Sequence, residues 1–306
     1  EKKKEWRAPG GGGIAGSDLS FRYEGPGSPW VINDLNLVIP PGKITAVVGE
    51  SGSGKTTFLK LLMGFYTPEK GRITINDTPL GDISVTSLRR ATGVVMQDGY
   101  IFPDTILANI SPGNDSPDMH RVMNAVRVAN LQSLLDNLPA GLNTRVGQGG
   151  HGLSQGQKQR ILIARVISKE PSLLLLDEAT GALDASNERL IVGNLSGFYA
   201  GRTVIIVAHR LSTVRYADLI VVLEKGNIAE AGNHEELTTG LLKISLSWEH
   251  SHQSLFFRVW LIIVRLPAQL VSSAGSLTSF GVSPLLLLHV IHIEPYSKSQ
   301  SHKGKN

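Results

Sequence analysis

The stretch GESGSGKTT, Gly49 to Thr57, places glycines at 49, 52 and 54 immediately before a lysine and two threonines. Glycine lets the backbone take turns that other residues resist, so this spacing predicts a tight concavity whose N–H groups face anionic oxygens. The apolar run ITAVV precedes it and FLKLLMGF follows, which is the strand–loop–helix setting in which such a loop grips phosphate. The start of the helix adds partial positive charge. Lys55 supplies a full charge to the β- and γ-phosphates of a nucleotide, and Thr56 offers a hydroxyl to Mg2+. Gly49, Glu50, Ser51, Gly52, Ser53, Gly54, Lys55, Thr56 and Thr57 are therefore the candidate triphosphate cradle.

A second acidic element lies far downstream. LLLLDE ends in Asp177 and Glu178, an acidic pair at the end of an apolar run. Beside a phosphate loop, Asp177 suits the Mg2+ shell, and Glu178 suits a base that orients or deprotonates a water attacking the γ-phosphate. Gln97 in VVMQDG and His209 in IIVAHR each follow a short strand-like run. An isolated glutamine or histidine there is ordinarily a loop or structural residue. Both, however, fall where the carboxyl ends of strands converge, the place an open α/β sheet binds its ligand. A further small-residue loop, HGLSQGQKQR at 151–160, opens a helix, with Ser154 suited to cap Gly156 onward.

The elements that must hold these residues follow from periodicity. LSFRYEG from Leu19, WVINDLNLVIP, KITAVVG and GRITIND alternate or run apolar between Gly and Pro punctuation, as strands do. A helix is expected from Lys55 to about Phe65. Residues 104 to 170 are expected to be mostly helical, with apolar positions at three- and four-residue steps in PDMHRVMNAVRVANLQSLLDNL. SLLLLDE, RTVIIVAH and DLIVVLEKG are short runs, the first two separated by a helical segment at 185–198. That rhythm predicts an α/β fold with a mainly parallel sheet covered on both faces. The hairpin-like LIVVLEKGNIAEAG predicts two antiparallel strands closing it.

Composition narrows the class. The chain has 306 residues, 41% hydrophobic and 18% charged, and no cysteine, so disulfides and thiolate chemistry are excluded. Its net charge of +4 is uneven: residues 1–7 carry +2 and residues 241–306 carry +4, which leaves 8–240 at −2. The basic surface that nucleic-acid binding requires is absent from the body. The head, 1–16, is charged and then glycine-rich, as linkers are. The first residue, Glu1, is not Met, which suggests a piece of something longer. The tail, 241–306, has neither helical nor strand periodicity and no apolar run of about 18 residues, so a spanning helix is not expected. It fits a non-native continuation such as a shifted reading frame produces, the alternative being an amphipathic membrane-surface segment.

Taken together, Tyr23, GESGSGKTT, Gln97, LSQGQ, LLLLDE, ALD and His209 occur in the order and spacing of the ATP-binding-cassette (ABC) ATPases. The chain resembles the nucleotide-binding domain of an ABC exporter over residues 17 to 239. IVAHRLSTVRYADLIVVLEKGNIAEAGNHEEL is similar to exporters rather than importers, and HGLSQGQKQRILIAR looks most like bacterial peptide or bacteriocin exporters with a peptidase domain. The resemblance implies a P-loop NTPase cassette at 17–240, with a mixed central sheet, an antiparallel β subdomain and a helical subdomain at about 100–165.

It also implies ATP and Mg2+ as ligands, and a head-to-tail homodimer in which each ATP lies between the phosphate loop of one cassette and the LSQGQ loop of the other. Ser154, Gly156 and Gln157 would then meet the partner's nucleotide, Tyr23 would stack on adenine, and Asp184 would bridge the cassettes. Gln97 would reach Mg2+ or the attacking water and sense an exporter's transmembrane domain, and His209 would contact the γ-phosphate. The expected location is the cytoplasmic face of the membrane. Two positions depart from the family pattern: Gln155 replaces a glycine in the signature, and Gln148–Gly149 replace the usual Glu-Arg before it. Two alternatives are a nucleotide-binding fragment with little hydrolysis of its own and a soluble, non-transport ABC ATPase.

Overall fold

The computed structural model describes residues 3–6, 13–147, 149–208, 214 and 216–237. Gln148, His209 and the tail 241–306 lie outside the described residues. Two kinds of strand pattern separate into two sheets. β3 (Ile44–Gly49), β7 (Leu173–Asp177) and β8 (Thr203–Val207) are buried along almost their whole length, as strands covered on both faces must be. β2 (Ile32–Ile39) instead alternates, with Leu35, Leu37 and Ile39 inward and Asn36 and Val38 outward.

The buried strands form a six-stranded sheet with β6 (Thr92–Val95), β9 (Leu219–Glu224) and β10 (Asn227–Gly232), in the order β10-β9-β3-β8-β7-β6. Every pairing in it is parallel except β9 with β10. The expected closing hairpin is thus present, with β9 itself belonging to the parallel set. The alternating strands form a second, antiparallel sheet of β1 (Ile14–Phe21), β2, β4 (Lys70–Ile75) and β5 (Thr78–Pro79), in the order β2-β1-β4-β5. Ile14 pairs with both Ile39 and Ile75 at the centre of that sheet.

The helix α1 (Lys55–Leu62) joins the two. Phe58, Leu59, Leu61 and Leu62 are all 2% exposed or less, in one core with Ile14, Ile39 and Ile75 of the antiparallel sheet and Leu175, Ile205 and Val221 of the parallel one. Each such side chain contributes about 1.5–3 kcal/mol by burial, so the helix that follows the phosphate loop is firmly seated. It stops at Leu62, three residues short of the expected end, because Met63 and Gly64 turn the chain out of the helix.

Residues 104–170 are helical in pieces: α3 (Ile106–Ile110), α4 (Met119–Val128), α5 (Gln132–Asp136) and α6 (Gln155–Lys169), all following α2 (Val85–Ala91). Asp118 caps α4 by accepting from His120 N and Arg121 N. Asn109, fully buried, ties the loop before α3 by accepting from Phe102 N and donating to Phe102 O and Thr105 O. Arg165 of α6 donates to Asn109 O at 2.7 Å and Tyr100 O at 3.0 Å, so α6 and that loop move together. α7 (Ala185–Tyr199) follows Asp184.

The head differs from a linker at two places. β1 begins at Ile14, inside the stretch expected to be linker, because Ile14 has two strand partners. Nearer the start, Lys4 N donates to Asp82 O, Ser84 N donates to Lys4 O, and Trp6, 8% exposed, joins the core. A large apolar ring outweighs the charges that flank it.

Candidate functional site

The site lies where the parallel strands end. β3 delivers Gly49, β7 delivers Asp177, β6 delivers Gln97 two residues on, and β8 ends at Val207 just before His209. Because these strands run parallel, all four ends fall on one edge of the sheet.

The loop between β3 and α1 keeps its shape through backbone constraints. Gly49 and Gly54 have φ of 154° and 103°. A Cβ at Gly49 would collide with the carbonyl oxygen of Leu223, and one at Gly54 would lie 2.7 Å from Val31 O, so neither position admits a side chain. Ser53 N donates to Glu50 O, and Gly226 N donates to Ser53 O, which ties the loop to the β9–β10 turn. Glu50, Ser51 and Gly52 line the exposed crest, whereas Ser53, Gly54, Lys55 and Thr57 are buried.

Lys55 is 6% exposed, and its ammonium donates to Gly49 O at 2.9 Å and Glu50 O at 2.7 Å. Burial pulls its pKa down, opposed by the negative charges of Glu178, Asp177 and Glu50. A buried cation whose hydrogen-bond partners among the described residues are backbone carbonyls alone is poised for an anion. Ser53 Oγ, buried and without a hydrogen-bond partner among the described residues, is a further donor of the kind an oxyanion would satisfy.

Thr56 and Asp177 meet across the loop: Thr56 Oγ1 donates to Asp177 Oδ2 at 2.9 Å. Asp177 is 2% exposed, the last residue of a strand whose other four residues are buried leucines. Glu178 is the next residue, half-buried, with φ of 49° and its N–H donating to Val207 O of β8. A non-glycine in this left-handed region costs roughly 1–2 kcal/mol, so the surrounding hydrogen bonds hold it there. Among the described residues no cluster of three or more His, Cys, Asp or Glu side chains is placed to hold a metal. The single carboxylate and hydroxyl match a hard cation that takes most of its ligands from water and phosphate.

Tyr23 is exposed at 47%, and its hydroxyl shares a hydrogen bond of 2.9 Å with that of Thr57. Its ring sits edge-to-face against Phe21 and Tyr66 at centroid distances of 5.1 and 5.3 Å. The aromatic platform is thus fastened to the helix that carries Lys55 and Thr56. Gln97 is exposed in a turn closed by Gly99 N on Met96 O.

Ser154, Gly156 and Gln157 form a separate group at the start of α6. Ser154 Oγ accepts from Gln157 N and Gln157 Oε1 accepts from Ser154 N, a reciprocal cap. Gly156 adjoins Ala182 O, since a Cβ there would lie 3.2 Å from it. Asp184 caps α7 through Ser186 N and Asn187 N, and these bonds, with the side chains of Ser186 and Asn187, hold its carboxyl well below the usual range. No hydrogen bond joins Ser154 or Gln157 to residues 49–57 among the described residues. His209 lies outside them.

Gln159 was not evident as a site residue. Its amide nitrogen donates to Glu178 O at 2.8 Å and its oxygen accepts from Ala182 N at 2.8 Å. The available signal was a polar residue four before Ile163 and seven before Val166, on the apolar stripe of α6.

These features define a nucleotide-binding site of the P-loop class. Comparison with known proteins carries the assignment further. The family model described as ABC transporter matches residues 32–181. The chain is 46% identical over 226 residues to an exotoxin translocation ATP-binding protein, PaxB, of Pasteurella aerogenes, covering 74% of this chain and 32% of that protein. It is 45% identical over 226 residues to the alpha-hemolysin translocation ATP-binding protein HlyB of Escherichia coli, with the same coverage of each. It is also 45% identical over 226 residues to a heavy metal tolerance protein of Schizosaccharomyces pombe, covering 74% of this chain and 27% of that one. Among solved structures, a bacterial Atm1-family ABC exporter with ATP bound superposes with a TM-score of 0.72 at 36% identity, over 80% of this chain and 44% of that chain. The chain carries a domain of the ABC transporter family over residues 32–181. It spans about a third of the length of the curated relatives it matches.

Proposed function

We propose that this domain binds ATP with Mg2+ in the 49–57 loop, hydrolyses it as a head-to-tail dimer of two such domains, and thereby drives export through a transmembrane domain. The observation that carries this reading is the meeting of Lys55, Thr56 and Asp177 at one loop, with Glu178 the next residue along the chain. Lys55 would transfer its ammonium from the loop carbonyls to the phosphates, and Ser53 Oγ and the loop N–H groups would take further oxygens. Thr56 and Asp177 would hold Mg2+, which neutralises phosphate charge when bound. Tyr23 would offer its ring to adenine, with Thr57 fixing the ring through its hydroxyl.

Hydrolysis needs a water aligned with the γ-phosphorus. Glu178 would accept one of its protons as the water oxygen bonds to phosphorus and the bond to the bridging oxygen of ADP breaks, leaving ADP and phosphate. Gln97 and His209 would orient that water and the γ-phosphate. Ser154, Gly156 and Gln157, exposed or half-buried at the start of α6, would close the far side of the nucleotide in a second copy, with Asp184 at the seam. That enclosure excludes bulk water and adds donors where charge develops.

A partner membrane domain would dock at a cavity of about 710 Å³ whose lining includes Phe65, Arg89, Val94, Arg121, Arg165 and Lys169 and none of the phosphate loop. It adjoins β6, the strand whose end carries Gln97. No helix among the described residues is long and apolar enough to cross a membrane, so the spanning element would come from elsewhere. Two of the relatives, PaxB and HlyB, are named for toxin translocation, and a peptide or protein cargo is the reading we favour, with the domain at the cytoplasmic face.

The direct test is Glu178→Gln. Steady-state turnover should fall by about a hundredfold or more, while affinity for a fluorescent ATP analogue stays within about twofold. Unchanged turnover would remove Glu178 from the chemistry and this reading with it.

A further inference from the structure

Gln159 stands on the buried stripe of α6, 8% exposed, yet spends both ends of its amide on the backbone of another segment. The nitrogen donates to Glu178 O and the oxygen accepts from Ala182 N, each at 2.8 Å, so one side chain staples both ends of the 178–182 loop. A glutamine alone among side chains of this length donates and accepts in this way: glutamate only accepts, and leucine does neither. The staple grips the loop at Glu178 itself, whose left-handed backbone needs outside support.

The same helix carries Ser154 five residues earlier. Its first turn touches the loop a second time, where Gly156 adjoins Ala182 O. A third tie runs through Arg160, which donates to Asn130 O at 2.7 Å. Asn130 in turn donates to Asn187 Oδ1, and Asn187 donates to Asp184 Oδ2 at 2.6 Å. The start of α6 and the segment 178–187 therefore behave as one body, with Gln159 the link nearest the reacting carboxylate.

We propose that Gln159 is a positioning residue that ties Glu178 to the N-terminus of α6. When Ser154 and Gly156 of one copy engage the nucleotide held by the other, the shift of α6 is passed through this amide to the Glu178 of its own site. The inference rests on the dimeric reading above and adds to it a route between the two sites.

The test is a double-mutant cycle in the full chain, with Gln159→Leu, Glu178→Gln and both together. Turnover is followed by release of labelled phosphate, and nucleotide affinity by a fluorescent ATP analogue. Gln159→Leu should lower kcat about tenfold or more, as a small misplacement of a reacting group does. Affinity should stay within about twofold, because among the described residues Gln159 makes no hydrogen bond to residues 49–57. The Hill coefficient for ATP should fall toward one. In the Glu178→Gln background the Gln159 substitution should have no further effect on kcat, since it acts through that carboxylate. Gln159→Glu, which keeps the acceptor for Ala182 N and loses the donor to Glu178 O, should reproduce the loss if the leucine variant does not fold.

A kcat within twofold of the unmodified chain, a parallel loss of affinity, or a full additional loss on top of Glu178→Gln would overturn the proposal. Failure of both Gln159 variants to fold would also overturn it, by making the residue a core strut. If Glu178→Gln alone keeps its turnover, the dimeric hydrolysis reading fails first, and the two failures are told apart.

Discussion

Lys55 shows how a single residue is prepared for a ligand. Its burial lowers its pKa, so the free domain holds the lysine proton less tightly than a fully solvated lysine does. Phosphates placed against the ammonium reverse that balance, and the bound domain must hold the proton more tightly. By linkage, nucleotide binding takes up a proton in the pH range between the depressed free value and the bound one, and affinity falls as pH rises through it. Above about pH 8 the phosphates are already fully ionised, so proton uptake measured calorimetrically in buffers of different ionisation enthalpy reports on the lysine. Uptake should be positive there and vanish in Lys55→Ala, which should also weaken binding by about tenfold or more. Zero uptake in the unmodified domain would contradict the buried-cation account.

At the scale of the element, the start of α6 has two jobs that one substitution pair separates. Ser154 caps the helix through Gln157 N, and it is also the group proposed to meet a partner's phosphate. Aspartate caps as well as serine but brings a negative charge. Ser154→Asp should therefore keep Tm within about a degree while hydrolysis falls at least tenfold. Ser154→Ala should cost about 1 kcal/mol of stability, a lowering of roughly 2–4 °C. Equal hydrolysis in the aspartate variant would leave Ser154 as a cap only.

Elements also show what the sequence discloses. The phosphate loop was legible because its backbone demands glycine at fixed positions and its charge demands lysine. Asp177 was legible because an acidic pair ending a run of four leucines gains a chemical meaning once a phosphate loop stands upstream. Gln159 was hidden because its partners are backbone atoms, which leave no trace in residue identity. Trp6 was hidden by the charges around it, and the early start of β1 by the glycines before Ile14. The place of β1 between β2 and β4, both of which pair with it at Ile14, is a long-range choice that local pattern does not encode.

At the scale of the whole molecule, no hydrogen bond among the described residues joins Ser154 or Gln157 to the phosphate loop of the same chain. Lys55, Thr56, Asp177 and Glu178 gather at the sheet edge, whereas Ser154 is hydrogen-bonded within its own group, to Gln157. In the proposed dimer a single domain supplies donors to one side of a nucleotide and a second copy supplies the other. At low concentration, hydrolysis per volume should rise with the square of protein concentration, and a linear rise would favour a domain that works alone.

The central claim is tested most directly by the mass of the Glu178→Gln chain in solution with ATP and Mg2+, measured by light scattering after size exclusion. The account predicts the mass of two chains with ATP and of one chain with ADP. The mass of one chain under both conditions, with ATP demonstrably bound, would contradict it.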